Sequence, residues 1–306
     1  MFGTFVGEQV KALRNLGIDV DVQFVNGVAG KVNYARGLHE FWRRIRHHHY
    51  DIVHAHYVYS GWIARMQLRL PVVVTSHGSD TLGLEGKLLR MLYPLVDAVT
   101  ITSRQNQLRA GLPKSYLLPC GVDTDVFFPT DTREAKLSLG WDPDRQVMLY
   151  VGRDAPGKRL DIIRASHEIV RTRNPRVDLI LATNVARRDV PVYLNASDVF
   201  VFASETEGSP VVIKEAMACD LPIVSVDVGD VAEVIGNTEQ CCLCERTAQS
   251  IAEHALRVLD SGCRSNGWSA IQGLSNAVIA ERLVGIYKQV LSRHRRPEVP
   301  GGKRNG

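Results

Sequence analysis

Short apolar runs recur along this chain with helix-length segments between them, and this alternation limits its fold more than any other feature. Asp51-Ile-Val-His-Ala55, Pro71-Val-Val-Val-Thr75, Asp97–Thr102 and Ser115–Pro119 form one series. Val147–Val151, Val177–Leu181, Asp198–Phe202, Pro222–Val226 and Cys241–Cys244 form a second. Strands that alternate with helices predict parallel, doubly wound sheets. Ahead of the first series, Val20, Val22 and Phe24 alternate strictly with Asp19, Asp21 and Gln23, which predicts a strand over Asp19–Val25 with one exposed face. Thr4–Leu16 carries Val6, Val10 and Leu13 on one helical face and ends at Gly17, a natural C-cap. A basic helix is expected from about Tyr34 to His48. With 306 residues the chain can fill two α/β cores of ordinary size. The polar, proline-containing Phe128–Arg133 suits the boundary. An N-terminal domain is therefore expected over residues 1–130 and a C-terminal domain over 131–276, followed by a helix at about 277–292 and a disordered basic tail at 293–306.

The richest stretch chemically is Ser204-Glu-Thr-Glu-Gly-Ser-Pro-Val-Val-Ile-Lys-Glu-Ala-Met-Ala-Cys219. An apolar strand precedes it and helical spacing follows Val211, so it reads as strand, tight turn and helix start. Gly208 lets backbone approach a ligand closely, and Pro210 suits a first helical turn, where its missing N–H costs nothing. The N–H groups of Ser209, Val211 and Val212 would then face a ligand above the helix, an anion site by geometry and by dipole, with phosphate as its natural occupant. Glu207 precedes the turn and Glu215, eight positions on, lies in the helix. An ordinary βα unit with solvated glutamates is the bland alternative.

Three further segments could carry chemistry. Gly152-Arg-Asp-Ala-Pro-Gly-Lys158 follows a strand and is nearly a P-loop, but Arg159 stands where a magnesium-binding hydroxyl would be, which counts against an NTPase. Thr75-Ser-His-Gly-Ser-Asp80 sits at the carboxyl edge of a strand, where open α/β sheets bind ligands. His54 and His56, two apart at a strand end, share a face and line either an acceptor site or only the fold. Asp19-Val-Asp21, Asp123-Thr-Asp125 and Asp142-Pro-Asp144 lack supporting ligands, so no metal site is expected. The six cysteines make no disulfide framework, and Cys241–Cys244 reads as a buried strand rather than a zinc site. Gly-x-Gly-x-x-Gly is absent, which argues against a dinucleotide oxidoreductase. Net charge is +4, with cations clustered at Arg43–His49 and Arg293–Arg296. These clusters are either solvated faces or attractors of anionic lipid or a phosphorylated acceptor; no nucleic-acid motif accompanies them. No apolar run is long enough for a membrane span and no signal peptide is visible, so a cytoplasmic protein is expected, with the inner membrane face as a place it could touch.

Glu-Gly-Ser-Pro, then Lys-Glu-Ala-Met-Ala and Leu221–Asp230, closely resembles the E-x7-E signature of the family 4 glycosyltransferases. The resemblance implies the GT-B architecture: two Rossmann-like domains with a nucleotide-sugar in the cleft between them, the last helix crossing back onto the first domain. It implies a retaining, metal-independent transfer from a nucleotide-sugar to a glycan or lipid-linked acceptor, and no cofactor. By the same resemblance His77 and Glu207 would contact the transferring sugar, Arg153 and Lys158 the diphosphate, and Glu215 the ribose. Gly208, Ser209, Pro210 and Val211 would complete the donor site, with Gly3 and Thr4 standing where the family has a glycine-containing loop. UDP is expected first and GDP second, on family frequency alone.

Two departures from the family accompany this. The first domain opens directly on a helix, so either coding sequence precedes Met1 or the domain lacks a core strand. Between Leu181 and Asp198 the chain is short where the family commonly has a glycine-rich turn, a helix and a strand; Thr183 and Asn184 are then the candidates for contacting the base. A non-catalytic donor-binding partner and a GT-B sugar-nucleotide epimerase are the competing readings.

Overall fold

The structure is a computed structural model that describes residues 4–26, 30 and 32–294, with only the backbone of Thr4. Gly3 and residues 295–306 of the expected tail lie outside the described residues. Arg293 and His294 are not tail but the last turn of the final helix, where His294 Nε2 meets Asp97 Oδ1 at 2.6 Å.

The first domain contains α1 (Thr4–Asn15), α2 (Val32–His47), β1 (Val53–His56), α3 (Val58–Arg65), β2 (Val72–Ser76), α4 (Gly83–Leu92), β3 (Ala98–Ile101), α5 (Arg104–Ala110) and β4 (Tyr116–Leu117). Its strands form a parallel sheet in the order β1-β2-β3-β4. The second contains α6 (Thr132–Ser138), β5 (Gln146–Val151), α7 (Leu160–Arg173), β6 (Val177–Ala182), α8 (Val190–Asn195), β7 (Val199–Phe202), α9 (Val211–Ala218), β8 (Ile223–Val226), α10 (Val231–Ile235), β9 (Cys241–Cys244), α11 (Ala248–Ser261) and α12 (Gly267–Ile271). Its parallel sheet runs β6-β5-β7-β8-β9. The order reverses between β5 and β7, and the loops after those two strands are therefore adjacent, which is where sheets of this kind hold ligands. Two α/β domains of this form make a GT-B fold.

Two expected strands differ. Asp19–Val25 joins no sheet. It is extended chain held by side chains: Arg14 donates to Val20 O, Tyr50 and Arg44 hold the Asp21 carboxylate, and Gln23 donates to Gly37 O. Phe24 is 49% exposed. Alternating polarity reports two unlike faces, which a tethered extended segment has as much as a strand does. Cys241–Cys244 is a strand, but at the sheet edge and only half-buried.

Helices cover both faces of the first sheet. Val72, Val74, Val99 and Ile101 point into a cluster with Val58, Leu89 and Leu92 from α3 and α4. Val73 and Ala98 point the other way, against Ala12 and Leu13 of α1. That second cluster is completed by the last helix, α13 (Asn276–His294), through Ile279, Leu283, Tyr287 and Val290. The chain thus returns from the second domain to roof the first. The two crossing segments touch at a parallel bridge between Val122 and Ser275, where Asn276 N donates to Val122 O at 2.8 Å. No helix among the described residues is long and apolar enough to cross a membrane.

Leu283 is fully buried in the α13 cluster. Leu283→Ala is expected to cost about 2–5 kcal/mol in urea unfolding, from lost transfer energy plus a residual cavity. A loss under about 1 kcal/mol would mean that α13 does not pack into the first domain's core.

Candidate functional site

Two glycines meet where the carboxyl edge of the first sheet faces the second. Gly78, just after β2, has φ +102°, a conformation that side chains disfavour. A Cβ there would come within 2.7 Å of Gly208 Cα, and a Cβ on Gly208 would fall on the His77 carbonyl. Only glycine at both positions lets the loops after β2 and β7 touch. Asn106 Nδ2 of α5 donates to Glu207 O at 3.1 Å, and Gln105 Oε1 accepts from Gly229 N at 2.9 Å. Cys120 N donates to Ser209 Oγ at 3.0 Å.

The turn that presents Glu207 is fixed from below. Lys214, on the inner face of α9, is fully buried and donates to Ser209 Oγ at 2.7 Å and Asp230 Oδ2 at 2.8 Å. Ser209 Oγ donates in turn to Asp230 Oδ2 at 2.6 Å. The Ser209 hydroxyl, a residue expected among the donor contacts, is therefore committed inside the protein, and only its backbone is left for a ligand. Pro210 is the N-cap of α9 and Val211 its first residue, so proline stands where no backbone donor is lost.

Because β5 and β7 are neighbours, Lys158, in the 3₁₀ turn Pro156–Lys158, reaches Glu207 Oε1 at 2.5 Å. Glu205 N also donates to Gly157 O. Arg159, where the P-loop pattern fails, adopts a left-handed conformation at φ +53° and caps α7, its guanidinium holding Asp161 and Glu205. Arg153, on the same loop, is exposed and makes no ion pair among the described residues.

Glu215 points elsewhere. It is 2% exposed and ion-paired with Arg187, from the 3₁₀ turn Arg187–Asp189 in the stretch after β6. Arg187 also donates to Glu8 Oε1 of α1 at 2.9 Å and lies 4.7 Å from the Phe127 ring centroid. Burial pushes the Glu215 carboxyl up to about 7 against the pull of Arg187.

His77 sits in an aromatic box. The His56 ring stacks on it at 5.2 Å with Nδ1 2.9 Å from His77 Nε2, while Phe5 and Tyr57 lie 4.4 and 4.8 Å away. Tyr57 is held at φ +67°, a strained conformation for a tyrosine. His54 does not line an open acceptor face: its ring nitrogens meet Tyr287 OH at 2.6 Å and Thr75 Oγ1 at 2.7 Å. Burial lowers all three imidazoles, His56 to about 4. Asp80 is likewise occupied, accepting from Ser76 Oγ, His77 N and Val58 N.

The structure thus brings together His77, Gly208, Ser209, Lys158 and Glu207, sets Glu215 beside Arg187, and leaves Arg153 on the rim. Thr183 and Asn184 form a bend after β6, with Asn184 exposed. Among the described residues no group of three His, Cys, Asp or Glu is arranged to hold a metal ion. Arg187, Glu8, Gln105, Asn106 and Tyr57 escaped the sequence reading. Gln105 and Asn106 could have been found, since they follow β3 at the same carboxyl edge that pointed to His77.

A profile described as Glycosyltransferase Family 4 matches residues 24–126, and one described as Glycosyl transferases group 1 matches residues 148–261. The chain is 26% identical over 236 residues to the glycosyltransferase TuaC of Bacillus subtilis (strain 168), whose name assigns it to teichuronic acid biosynthesis. That alignment takes in 68% of this chain and 61% of TuaC, so the chain spans less than two thirds of that relative. Among solved structures it resembles sucrose-phosphate synthase from Thermosynechococcus elongatus, with a TM-score of 0.70, 22% identity and coverage of 86% of this chain and 80% of the other. It also resembles Anabaena Alr3699/HepE in complex with UDP-glucose, with a TM-score of 0.60, 19% identity and coverage of 93% and 88%.

The histidine box makes stability depend on acid. The unfolded imidazoles take up protons near pH 6.5 while the folded ones resist until lower pH, about 4 for His56. Unfolding therefore binds protons in that window: the stabilisation is present above about pH 6.5 and is lost as pH falls toward 4. Urea midpoints are expected to drop between pH 7 and pH 5, with His56→Gln flattening part of the drop. An unchanged slope in that variant would show that His56 is not held neutral.

Proposed function

The chain belongs to the family 4 glycosyltransferases, and from that premise we propose that it moves a sugar from a UDP-sugar to an acceptor hydroxyl with the anomeric configuration kept. The observation that carries this reading is the meeting of Lys158 and Glu207 at 2.5 Å beside the Gly78–Gly208 contact. The charged pair belongs to the second domain, and Gly208, next to Glu207, meets the His77 carbonyl of the first. A leaving diphosphate gathers negative charge as the glycosidic bond breaks, and donors fixed in advance stabilise it without reorganising. Lys158 and Arg153 are the cations for that task, and the N–H groups at the start of α9 are its neutral donors. Glu207 would release Lys158 to the diphosphate and accept from a sugar hydroxyl. His77, kept neutral by its box, suits a hydrogen bond to the sugar, and retention leaves it no need to act as a base. Glu215 would accept the ribose hydroxyls. These roles require no metal or cofactor, since protein cations balance the diphosphate.

Uracil is favoured over guanine because a solved structure of the same fold holds UDP-glucose. A cell-envelope glycan is the favoured acceptor class, because TuaC carries teichuronic acid in its name. The basic outer surface of α2, with Arg43, Arg46 and His47, suits occasional contact with an anionic membrane at the cytoplasmic face.

UDP release from a panel of UDP-sugars, with and without simple glycoside acceptors, tests the reading. Acceptor-dependent release is expected, and Lys158→Ala should slow it about ten-fold or more, the equivalent of one charge-assisted hydrogen bond. Full turnover by Lys158→Ala would remove that residue from the mechanism. Conversion of the sugar nucleotide without acceptor, its linkage intact, would replace transfer with epimerisation.

A further inference from the structure

Arg187 has a place in the donor site that neither the signature nor the similarity to known proteins assigns. Glu215 is all but buried, and a buried carboxylate needs a counter-charge to stay ionised. Two cations face it. Lys214, on its own helix, is already committed to Asp230 and Ser209, which leaves Arg187 from the turn after β6. Glu8 of α1 faces the same spot and opposes the charge on Glu215, but Arg187 also holds Glu8, at 2.9 Å. The guanidinium is thus gripped by a carboxylate from each domain and lies over the Phe127 ring. An ionised, oriented carboxylate can accept from both hydroxyls of a vicinal diol. A protonated one must use an oxygen as donor and loses that match.

We propose that Arg187 is the positioning residue of the ribose site, presenting Glu215 to the ribose hydroxyls, and that Glu8 anchors Arg187 from the opposite domain. This rests on the reading of Glu215 as the ribose contact. The site is then complete only while α1 is docked against the second domain, so binding of the nucleotide and closure of the domains support one another. The stretch after β6, short by comparison with the family, supplies through Arg187 a contact that links the donor site to the first domain.

The test compares whichever of UDP and GDP binds the protein with its 2′-deoxy and 3′-deoxy analogues, in wild type, Arg187→Gln, Arg187→Lys and Glu8→Gln, by calorimetry between pH 6 and pH 9. Wild type is expected to prefer the ribonucleotide at least about ten-fold, the equivalent of a hydrogen bond to a charged group. That preference should grow as pH rises through about 7, where Glu215 ionises. Arg187→Gln should cut it below about three-fold at pH 7 and move its rise to higher pH, while the diphosphate contacts keep some affinity. Arg187→Lys should recover part of the preference. Glu8→Gln removes a repulsion on Glu215 as well as the anchor of Arg187, so it is read at pH 9, where Glu215 is ionised in either protein. There the preference should fall below that of wild type, a reading that stands if Arg187→Gln fails to fold. Wild-type preference and pH profile in a folded Arg187→Gln would overturn the proposal while leaving the ribose site intact. Equal binding of ribo- and deoxynucleotides by wild type would instead overturn the ribose reading of Glu215, and the proposal with it.

Discussion

The contact of Gly208 with His77 and Gly78 is the constraint on which the rest of this structure depends. It joins the carboxyl edges of two sheets through backbone alone, at a separation that no side chain on either glycine would allow. The other contacts across the interface follow from it. Asn106 can reach the Glu207 carbonyl, Gln105 the Gly229 amide and Arg187 the Glu8 carboxylate because the loops have already met. α13 makes the geometry durable by closing the core of the first domain with helix that follows the second in sequence.

Three of the cation–carboxylate pairs at this cleft, Lys214–Asp230, Lys158–Glu207 and Arg187–Glu215, differ in burial, and a fourth, Arg187–Glu8, carries the last of them across to the first domain. Lys214 and Asp230 are both nearly excluded from solvent, so breaking that pair would strand a charge; it serves as a fixed post for the turn. Lys158 and Glu207 are partly exposed and sit on separate loops, and such a pair can open and turn toward a charged ligand at low cost. Arg187 and Glu215 lie between these extremes, one partner buried and the other reaching solvent and the opposite domain. Burial thus separates a locked pair, a pair that can open and a pair that reaches the opposite domain.

Much of this was legible in the sequence because it is local. A strand, a Gly-Ser-Pro turn and a helix start occupy consecutive residues, and the conformations they need are carried by those residues themselves. The same holds for His77-Gly78 after its strand and for Lys158 on its loop. What the sequence did not show has its determining partner far away. Ser209 is placed by Asp230 and Lys214 in three dimensions, and nothing beside it signals that its hydroxyl is taken. Arg187 sits in a polar loop with an arginine beside it, and its importance comes from Glu8, 179 positions distant. Asp19–Val25 has the period of a strand, yet period says nothing about whether a neighbouring strand exists to pair with it.

The central claim is that this cleft is a nucleotide-sugar site whose ribose contact is Glu215. Calorimetric titration of the purified chain with UDP, GDP and ADP, alongside Glu215→Ala, tests it most directly. The account predicts saturable binding of UDP in preference to the other two, weakened by Glu215→Ala in a protein that remains folded. Binding of none of the three by folded wild type, or equal UDP binding by Glu215→Ala, would contradict it.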